Sequence, residues 1–269
     1  MPDARILSLA AGCLPDETPA VQLRAAAEGG WSHTGLWIEP GRNWHEHTPA
    51  DLDRTLAATG LRVLAVEVVW LHPGPAEPDH DRVLAWGAAL GARAALVVSS
   101  IPDRNETCRR WEGLCLRAER EGIRVVLEHL PITEVRTLTD ARAIVEKVDH
   151  PAGGLLVDPI HLVRTGGTAA DVAALDPRWL PYAQFCDGAA KLADPTPEAL
   201  LEDAVNGREV PGAGALELDA LLAALPPSLP LSLEIRSRSW REAWPDPVAR
   251  ARALHDAVTR WFAARAPGA

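Results

Sequence analysis

Short apolar runs alternate with amphipathic segments along almost the whole chain. The apolar runs are about four to eight residues long and are bounded by Gly, Pro, Asp or Ser, which is typical of buried parallel strands. They predict eight strands, at Ile6–Ala10, Thr34–Ile38, Val63–Trp70, Ala95–Ser99, Arg124–Leu130, Gly154–Asp158, Tyr182–Cys186 and Leu231–Ile235. The segments between them have helical spacing and predict helices at Ala20–Gly29, Asp51–Thr59, His80–Leu90, Glu106–Arg120, Leu138–Val148, Ala169–Leu175, Leu218–Leu225 and Pro247–Ala264.

Eight strand–helix units in 269 residues most simply close into an α/β fold of the (β/α)8 TIM barrel type. We expect a single domain over residues 1–269. The alternative is an open, doubly wound sheet, which normally carries G-x-G-x-x-G after its first strand. Here that turn reads Ala-Ala-Gly-Cys-Leu-Pro, so the barrel is favoured.

Composition and charge restrict the kind of partner. Hydrophobic residues make up 47% and charged residues 24%, which is ordinary for a folded protein with a sizeable core. The formal net charge is −10 and no Lys/Arg run occurs, so nucleic acid is a poor partner. The four cysteines form no C-x-x-C pair, and the chain shows neither a signal peptide nor a membrane-spanning stretch. We therefore expect a cytoplasmic protein that binds a small molecule; the oligomeric state, a homo-oligomer included, stays open.

Polar residues end each of the last four predicted strands. In such barrels chemistry occurs at the carboxyl ends of the strands. The four residues are carboxylates and an amide: Glu128, Asp158, Gln184 and Glu234. Each alone is equally consistent with a surface loop, but burying three carboxylates in one pocket is costly unless a cation neutralises them. Their matching depth on consecutive strands therefore predicts a divalent metal site with positions open for substrate oxygens.

These segments resemble the xylose isomerase-like barrels, a family of sugar phosphate isomerases and epimerases that shares its fold with type 2 apurinic endonucleases. The resemblance follows the element order of essentially the whole chain. Its motifs are V-V-L-E-H (125–129), L-L-V-D-P-I-H (155–161), Y-A-Q-F-C-D (182–187), R-E-V-P-G-A-G (208–214) and L-S-L-E-I (231–235).

The resemblance implies that Glu128, Asp158, Gln184 and Glu234 hold one divalent ion, with Mn²⁺, Mg²⁺ or Co²⁺ expected and Zn²⁺ less favoured. Many family members have His where Gln184 stands. Hydroxypyruvate isomerase-like and some dehydroshikimate dehydratase-like members have Gln there. This departure weakens the case for a ketose epimerase of the tagatose type, but not the case for a metal.

Three further residues, His161, Arg208 and Glu67, are candidates for binding substrate, and Arg236 is considered beside them. His161 lies three residues after Asp158, and its family counterpart contacts a substrate oxygen; a core or capping histidine is the alternative. Arg208 resembles an arginine in a family loop that reaches the pocket, where its charge can hold an enolate or a carboxylate. Glu67 is a lone carboxylate in an apolar run, and its side chain is expected to face either the pocket or a structural partner. The side chain of Arg236 faces either the barrel mouth or solvent.

Tryptophan and histidine supply two weaker signals. The chain has 10 Trp, of which four lie near strand ends: Trp31, Trp37, Trp70 and Trp240. There they could line the binding site of a sugar-like ligand, although tryptophan is more often used for core packing. His45 and His47 alternate like a metal pair, but they lie in a predicted loop, and a solvated loop is the preferred interpretation.

The resulting hypothesis is a metal-dependent isomerase or epimerase in carbohydrate metabolism, acting on a small sugar-like or hydroxy-keto substrate through an enediolate. Glu128 and Glu234 would be the catalytic acid/base pair. A dehydratase or lyase of the dehydroshikimate dehydratase type would share the first step. A ligand-binding barrel without catalysis and an apurinic endonuclease are less favoured, the latter because the predicted ends of strands two to four carry no histidines.

Overall fold

The computed structural model describes residues 5–39, 48–75, 77 and 79–265, so that His45 and His47 lie outside the described residues. Its strands are β1 (Leu7–Leu9), β2 (His33–Trp37), β3 (Arg62–Leu71), β4 (Ala94–Ser99), β5 (Arg124–Glu128), β6 (Gly153–Leu156), β7 (Ala183–Phe185) and β8 (Leu231–Leu233). All neighbouring strands pair in parallel, in the order β6-β5-β4-β3-β2-β1-β8-β7. The prediction of a (β/α)8 barrel is confirmed.

A backbone hydrogen bond joins the two ends of this sheet. The Gln184 N–H donates to the Val157 carbonyl at 2.9 Å, which links the start of β7 to the end of β6. Glu128 is in register with Leu156, and Phe185 with Leu233. The carboxyl ends of β5 to β8 therefore lie side by side around one mouth, at the depth where the sequence places its polar residues.

Eleven α-helices connect the strands of the described chain. They are α1 (Pro19–Glu28), α2 (Pro49–Thr59), α3 (Asp79–Ala89), α4 (Arg104–Glu121), α5 (Leu138–Val148), α6 (Pro159–Arg164), α7 (Ala169–Ala173), α8 (Pro197–Asn206), α9 (Leu218–Ala224), α10 (Arg238–Ala243) and α11 (Pro247–Ala263). The eight predicted helices are present, α5 with the predicted ends and the other seven with shifted ends, whereas α6, α8 and α10 were not predicted. None of the described helices is both long enough and apolar enough to cross a membrane.

Local capping explains where these helices begin. Pro19 follows the N-cap Thr18, whose hydroxyl accepts from the Val21 N–H. The same Thr-Pro signal starts α8 at Thr196, although the sequence analysis missed that helix. In α5 the cap is Thr137, which forms a capping box with Asp140, although Thr139 also precedes Asp140 and would be a candidate cap from the sequence.

Buried apolar side chains form two groups, one outside the barrel wall and one inside it. The larger one packs between the strands and the surrounding helices. The smaller one comes from alternate positions of the strands and so fills the barrel interior, with Leu64, Leu96, Val126, Leu156 and Tyr182 among its members. This packed interior forms the floor beneath the mouth, so the barrel has no open pore along its axis.

Candidate active site

A cavity of about 470 Å³ opens at the carboxyl ends of the strands, a size suited to a small molecule. Its lining includes all but one of the predicted site residues: Glu67, Glu128, His161, Gln184, Arg208 and Glu234. The remaining one, Asp158, is completely buried and meets the lining through Arg208. The structure therefore brings the seven predicted site residues together at one place.

Glu128, Asp158 and His161 form the tightest cluster. Each offers a ligand atom, and these atoms all lie within 4.8 Å of one another. Asp158 is the N-cap of α6, and its Oδ1 accepts from the Ile160 N–H at 2.9 Å. The first turn of that helix brings His161 Nε2 to 3.9 Å from Asp158 Oδ2. The imidazole thus lies among candidate metal ligands, a position that suits ligation as well as the substrate contact predicted for it.

Two buried oxygens in the site accept no hydrogen bond from the described residues. Glu128 Oε1 and Gln184 Oε1 are buried, and neither has a hydrogen-bond partner among the described residues. Leaving such atoms unsatisfied costs free energy, which a cation would recover. Carboxylate and amide oxygens with an imidazole nitrogen make a donor set that suits divalent ions. The residues present therefore fit a divalent metal.

Arg208 lies between two of the carboxylates. Its Nη1 is 2.5 Å from Asp158 Oδ2, and its Nη2 is 3.4 Å from Glu234 Oε2. Its Nε donates to the Ala204 carbonyl at 2.8 Å, which fixes the plane of the guanidinium. Glu234 lies outside the cluster of Glu128, Asp158 and His161, but the Arg208 guanidinium joins Glu234 to Asp158.

Burial and neighbouring charges set the protonation of the cluster. Burial raises the pKa of Glu128 well above its ordinary value, and the carboxylates of Asp158 and Glu234 add to the effect. Burial also favours protonated Asp158, but the charge and hydrogen bond of Arg208, with His161 and the Ile160 N–H, together outweigh burial and lower the pKa of Asp158. Burial lowers the pKa of His161 to about 3, so its imidazole is neutral near pH 7 and keeps a lone pair for a metal or a donor.

Asp187 is a positioning residue that the sequence analysis did not single out. Its Oδ2 accepts from the Gly212 N–H at 2.9 Å and its Oδ1 from the Leu216 N–H at 3.0 Å. Its backbone pairs with Glu209, the neighbour of Arg208. Asp187 thereby holds the loop after α8 in the shape that turns Arg208 inward. The signal was present in the sequence, because Asp187 directly follows the run at β7.

The unpredicted helix α8 forms one wall of the cavity. Leu200, Ala204 and Val205 lie in the lining, so the helix turns apolar side chains toward the site. A buried ion pair between Arg164 of α6 and Asp203 of α8, at 2.7 Å, ties this wall to the helix that carries His161. An apolar surface therefore lies on one side of the cavity that leads to the candidate metal cluster.

The aromatic side chains divide between cavity and core. Trp37 and Trp70 line the cavity. Trp31 is buried and donates from Nε1 to the Ala251 carbonyl at 2.8 Å, and Trp240 packs against the core. Glu67 both faces the cavity and has a structural partner, because its Oε2 accepts from Trp37 Nε1 at 2.7 Å.

Comparison with known proteins agrees with this architecture. A model of the xylose isomerase-like TIM barrel family matches residues 23–258. No curated protein matches the sequence.

Several solved structures share the fold. An IolI protein with a bound zinc atom has a TM-score of 0.78 at 17% identity, with 95% of this chain and 99% of that chain covered. The probable 3-DHS dehydratase AsbF from Bacillus anthracis has a TM-score of 0.73 at 16% identity, covering 91% and 96%. A D-allulose 3-epimerase from Methylomonas sp. has a TM-score of 0.69 at 17% identity, covering 98% and 99%. Proteins of this shape thus include enzymes of more than one reaction class and a metal-binding member.

Proposed function

Since the chain belongs to the xylose isomerase-like TIM barrel family, we propose that it is a divalent-metal-dependent isomerase or epimerase of a small hydroxy-carbonyl compound. The observation that supports this most is the buried cluster of Glu128, Asp158 and His161, with Glu234 held beside it by Arg208. In the proposed site Glu128, Asp158, Gln184 and Glu234, with His161 nearby, hold the ion. When bound, the metal supplies Lewis-acid polarisation of a carbonyl oxygen.

The chain's own residues supply the proton transfers. One of Glu128 and Glu234 removes the proton from the carbon next to the carbonyl, and the electron pair of the C–H bond enters the new C=C bond of an enediolate. The other glutamate returns a proton, to the opposite face of the same carbon in epimerisation or to the neighbouring carbon in isomerisation. The two side chains come from the non-adjacent strands β5 and β8, so they can flank a substrate that lies across the mouth.

Two neighbouring groups serve the negative oxygen that develops in this step. The Arg208 guanidinium is preorganised by its bond to the Ala204 carbonyl and carries a permanent charge. His161 is neutral and can accept or donate a hydrogen bond at the substrate oxygens. The apolar wall of α8 keeps water from the reacting carbon, which strengthens both interactions.

A solvent-exchange experiment tests the proposal. Protein loaded with Mn²⁺ is incubated in D₂O with a panel of ketoses and keto acids, and deuterium incorporation is followed by NMR. We expect incorporation during turnover, and a fall of at least 100-fold in Glu128→Gln and Glu234→Gln. Glu202→Gln, an exposed carboxylate that pairs with Arg238, is the matched control and should keep the rate. Turnover without any incorporation by the wild-type protein would contradict the mechanism.

A dehydratase is the second candidate, supported by the similarity to the probable 3-DHS dehydratase AsbF. It would use the same proton abstraction, after which the electron pair of the enolate forms a C=C bond to the next carbon and expels its hydroxyl group, which takes a proton from the other glutamate and leaves as water. Mass analysis of the product distinguishes the two reactions, because isomers keep the mass of the substrate and a dehydrated product is lighter by one water.

A further inference from the structure

Two arginines in the cavity lining have no described carboxylate oxygen within ion-pair distance. Arg236 and Arg241 both line the cavity, yet neither forms an ion pair with a described carboxylate. Arg236 Nε and Arg241 Nη1 are buried and have no hydrogen-bond partner among the described residues. Arg238, between them in sequence, is exposed and pairs with Glu202 at 2.8 Å. Of these three arginines, the two without an ion pair are the ones that line the cavity, and the charges of Glu234 and Glu67 act on Arg236 only from a longer distance.

Both side chains are nevertheless held in place. The Arg236 guanidinium stacks 4.9 Å above the ring of Trp37, and Arg241 Nη2 donates to Asn206 Oδ1 at the end of α8. These contacts orient the groups without neutralising their charge, because an indole ring and an amide are both uncharged. Guanidinium donors that are fixed and partly desolvated are arranged to bind an oxyanion in a bidentate manner.

The backbone also places Arg236 beside a third arginine. Gly207 and Ser237 form an antiparallel bridge between the loops that follow α8 and β8. In an antiparallel bridge the residue after one partner lies opposite the residue before the other, so Arg208 lies opposite Arg236. Like charges at such positions repel each other. Asp158 and Glu234 offset the charge of Arg208, and an anion beside Arg236 would offset the charge of Arg236.

We infer that Arg236 and Arg241, next to Arg208, bind an anionic group of the substrate, a carboxylate or a phosphate, so that the substrate class is the charged hydroxy-carbonyl compounds. This rests on the proposed function, whose reacting carbon would lie between Glu128 and Glu234. Arg236 follows Glu234 by two residues, about 7 Å in extended chain. The anionic group is therefore separated from the reacting carbon by a few carbon atoms, which the cavity volume accommodates.

Matched pairs of ligands test the inference by calorimetry on the metal-loaded protein. Gluconate is compared with sorbitol, and fructose 6-phosphate with fructose. We expect the charged member of at least one pair to bind ten-fold or more tightly than its neutral partner, and the pair that shows this identifies carboxylate or phosphate. In Arg236→Gln and Arg241→Gln the preference should fall below three-fold, and Arg236→Lys should retain part of it.

Arg238→Gln is the matched control, on the same helix as Arg241, and should keep the full preference. Equal affinity for charged and neutral members, no binding of either charged compound, or an unchanged preference in both Gln variants would overturn the inference. Metal content and melting temperature are measured for every variant. A charge preference in a protein that exchanges no deuterium would refute the proposed function and leave the anion site standing. Deuterium exchange without a charge preference would refute the anion site and leave the proposed function standing.

Discussion

At the scale of single residues, Arg208 contacts carboxylates that a metal ion would also bind. Its guanidinium contacts Asp158 and Glu234, two residues that the sequence assigns to the metal. Removing one partner of a buried ion pair leaves the other charge uncompensated, at a cost of about 3–5 kcal/mol. In the proposed site, a bound metal would therefore compete with Arg208 for the same carboxylates.

We predict that Arg208→Gln lowers the free energy of unfolding of the metal-free protein by about 3 kcal/mol. Added Mn²⁺ should raise the melting temperature of this variant more than that of the wild type, because no guanidinium competes for the carboxylates. Arg164→Gln is the control, since it breaks a buried ion pair with Asp203 in which no candidate metal ligand takes part. An equal response of all three proteins to Mn²⁺ would contradict the prediction.

The ionisation of Glu67 is expected to make the free energy of unfolding depend on pH. Burial, together with the charge of Glu234, raises the pKa of Glu67 from 4.5 to about 8, although its hydrogen bond from Trp37 opposes the rise. The folded protein therefore holds a proton that the unfolded chain has released. The free energy of unfolding must fall as the pH increases from 4.5 through about 8.

Glu67→Gln removes this titration and can keep the bond from Trp37. We expect the metal-free variant to be more stable than the wild type by about 2 kcal/mol at pH 9, with a smaller difference at pH 6. Urea unfolding at the two pH values measures it. A difference that does not change between pH 6 and pH 9 would show that Glu67 does not titrate in this range.

At the scale of elements, α4 shows how one residue type has opposite effects at two positions. Gly122 ends the helix with φ +73°, and its N–H donates to the Ala118 and Glu119 carbonyls. Gly113 lies inside the same helix, and a Cβ at either position would meet nothing within 4 Å. Space is therefore equal at the two sites, and only the backbone conformation differs.

Gly122→Ala should lower the free energy of unfolding by about 1 kcal/mol, because a side chain is disfavoured in the left-handed region. Gly113→Ala should raise it by about 0.5–1 kcal/mol, because Ala has the higher helix propensity. Thermal or urea unfolding of the two variants measures the effects. Changes of the same sign would show that contacts, and not backbone conformation, determine the outcome.

At the scale of the whole molecule, the barrel depends on the junction between β6 and β7. These strands are the two ends of the sheet order, and the Gln184 N–H bonds across the gap to Val157. The junction is packed by the backbone around Trp179, since a Cβ at Gly154 would lie 2.5 Å from the Trp179 carbonyl oxygen. Closing the barrel here keeps Gln184 level with Glu128 and Asp158.

Gly154→Ala is therefore expected to lower the free energy of unfolding by about 2 kcal/mol, since a backbone oxygen must move to admit the methyl group. Gly188→Ala is the control, because its nearest neighbour, Ile160 Cδ1, would be at an ordinary 3.5 Å. Urea unfolding compares the two. Equal stability of Gly154→Ala and the wild type would show that the junction is loosely packed.

The amino-acid pattern alone determines the architecture and most members of the site. Strand runs, caps and glycines are local signals, so they give the eight strands and most of the helices. The rule that barrel chemistry occurs at the carboxyl ends of strands then selects Glu128, Asp158, Gln184 and Glu234 without coordinates. α8 was missed although its Thr196-Pro197 start is a local signal of the same kind.

Only the tertiary structure decides how side chains from distant segments meet. Arg208 contacts Asp158 across 50 positions of sequence. The pairing of Gly207 with Ser237, which brings Arg208 opposite Arg236, joins two loops that no local periodicity links. That neither Arg236 nor Arg241 forms a close ion pair with a described carboxylate likewise cannot be read from the sequence. Loop convergence and side-chain direction depend on packing between remote segments, whereas strand and helix formation depend on nearest neighbours along the chain.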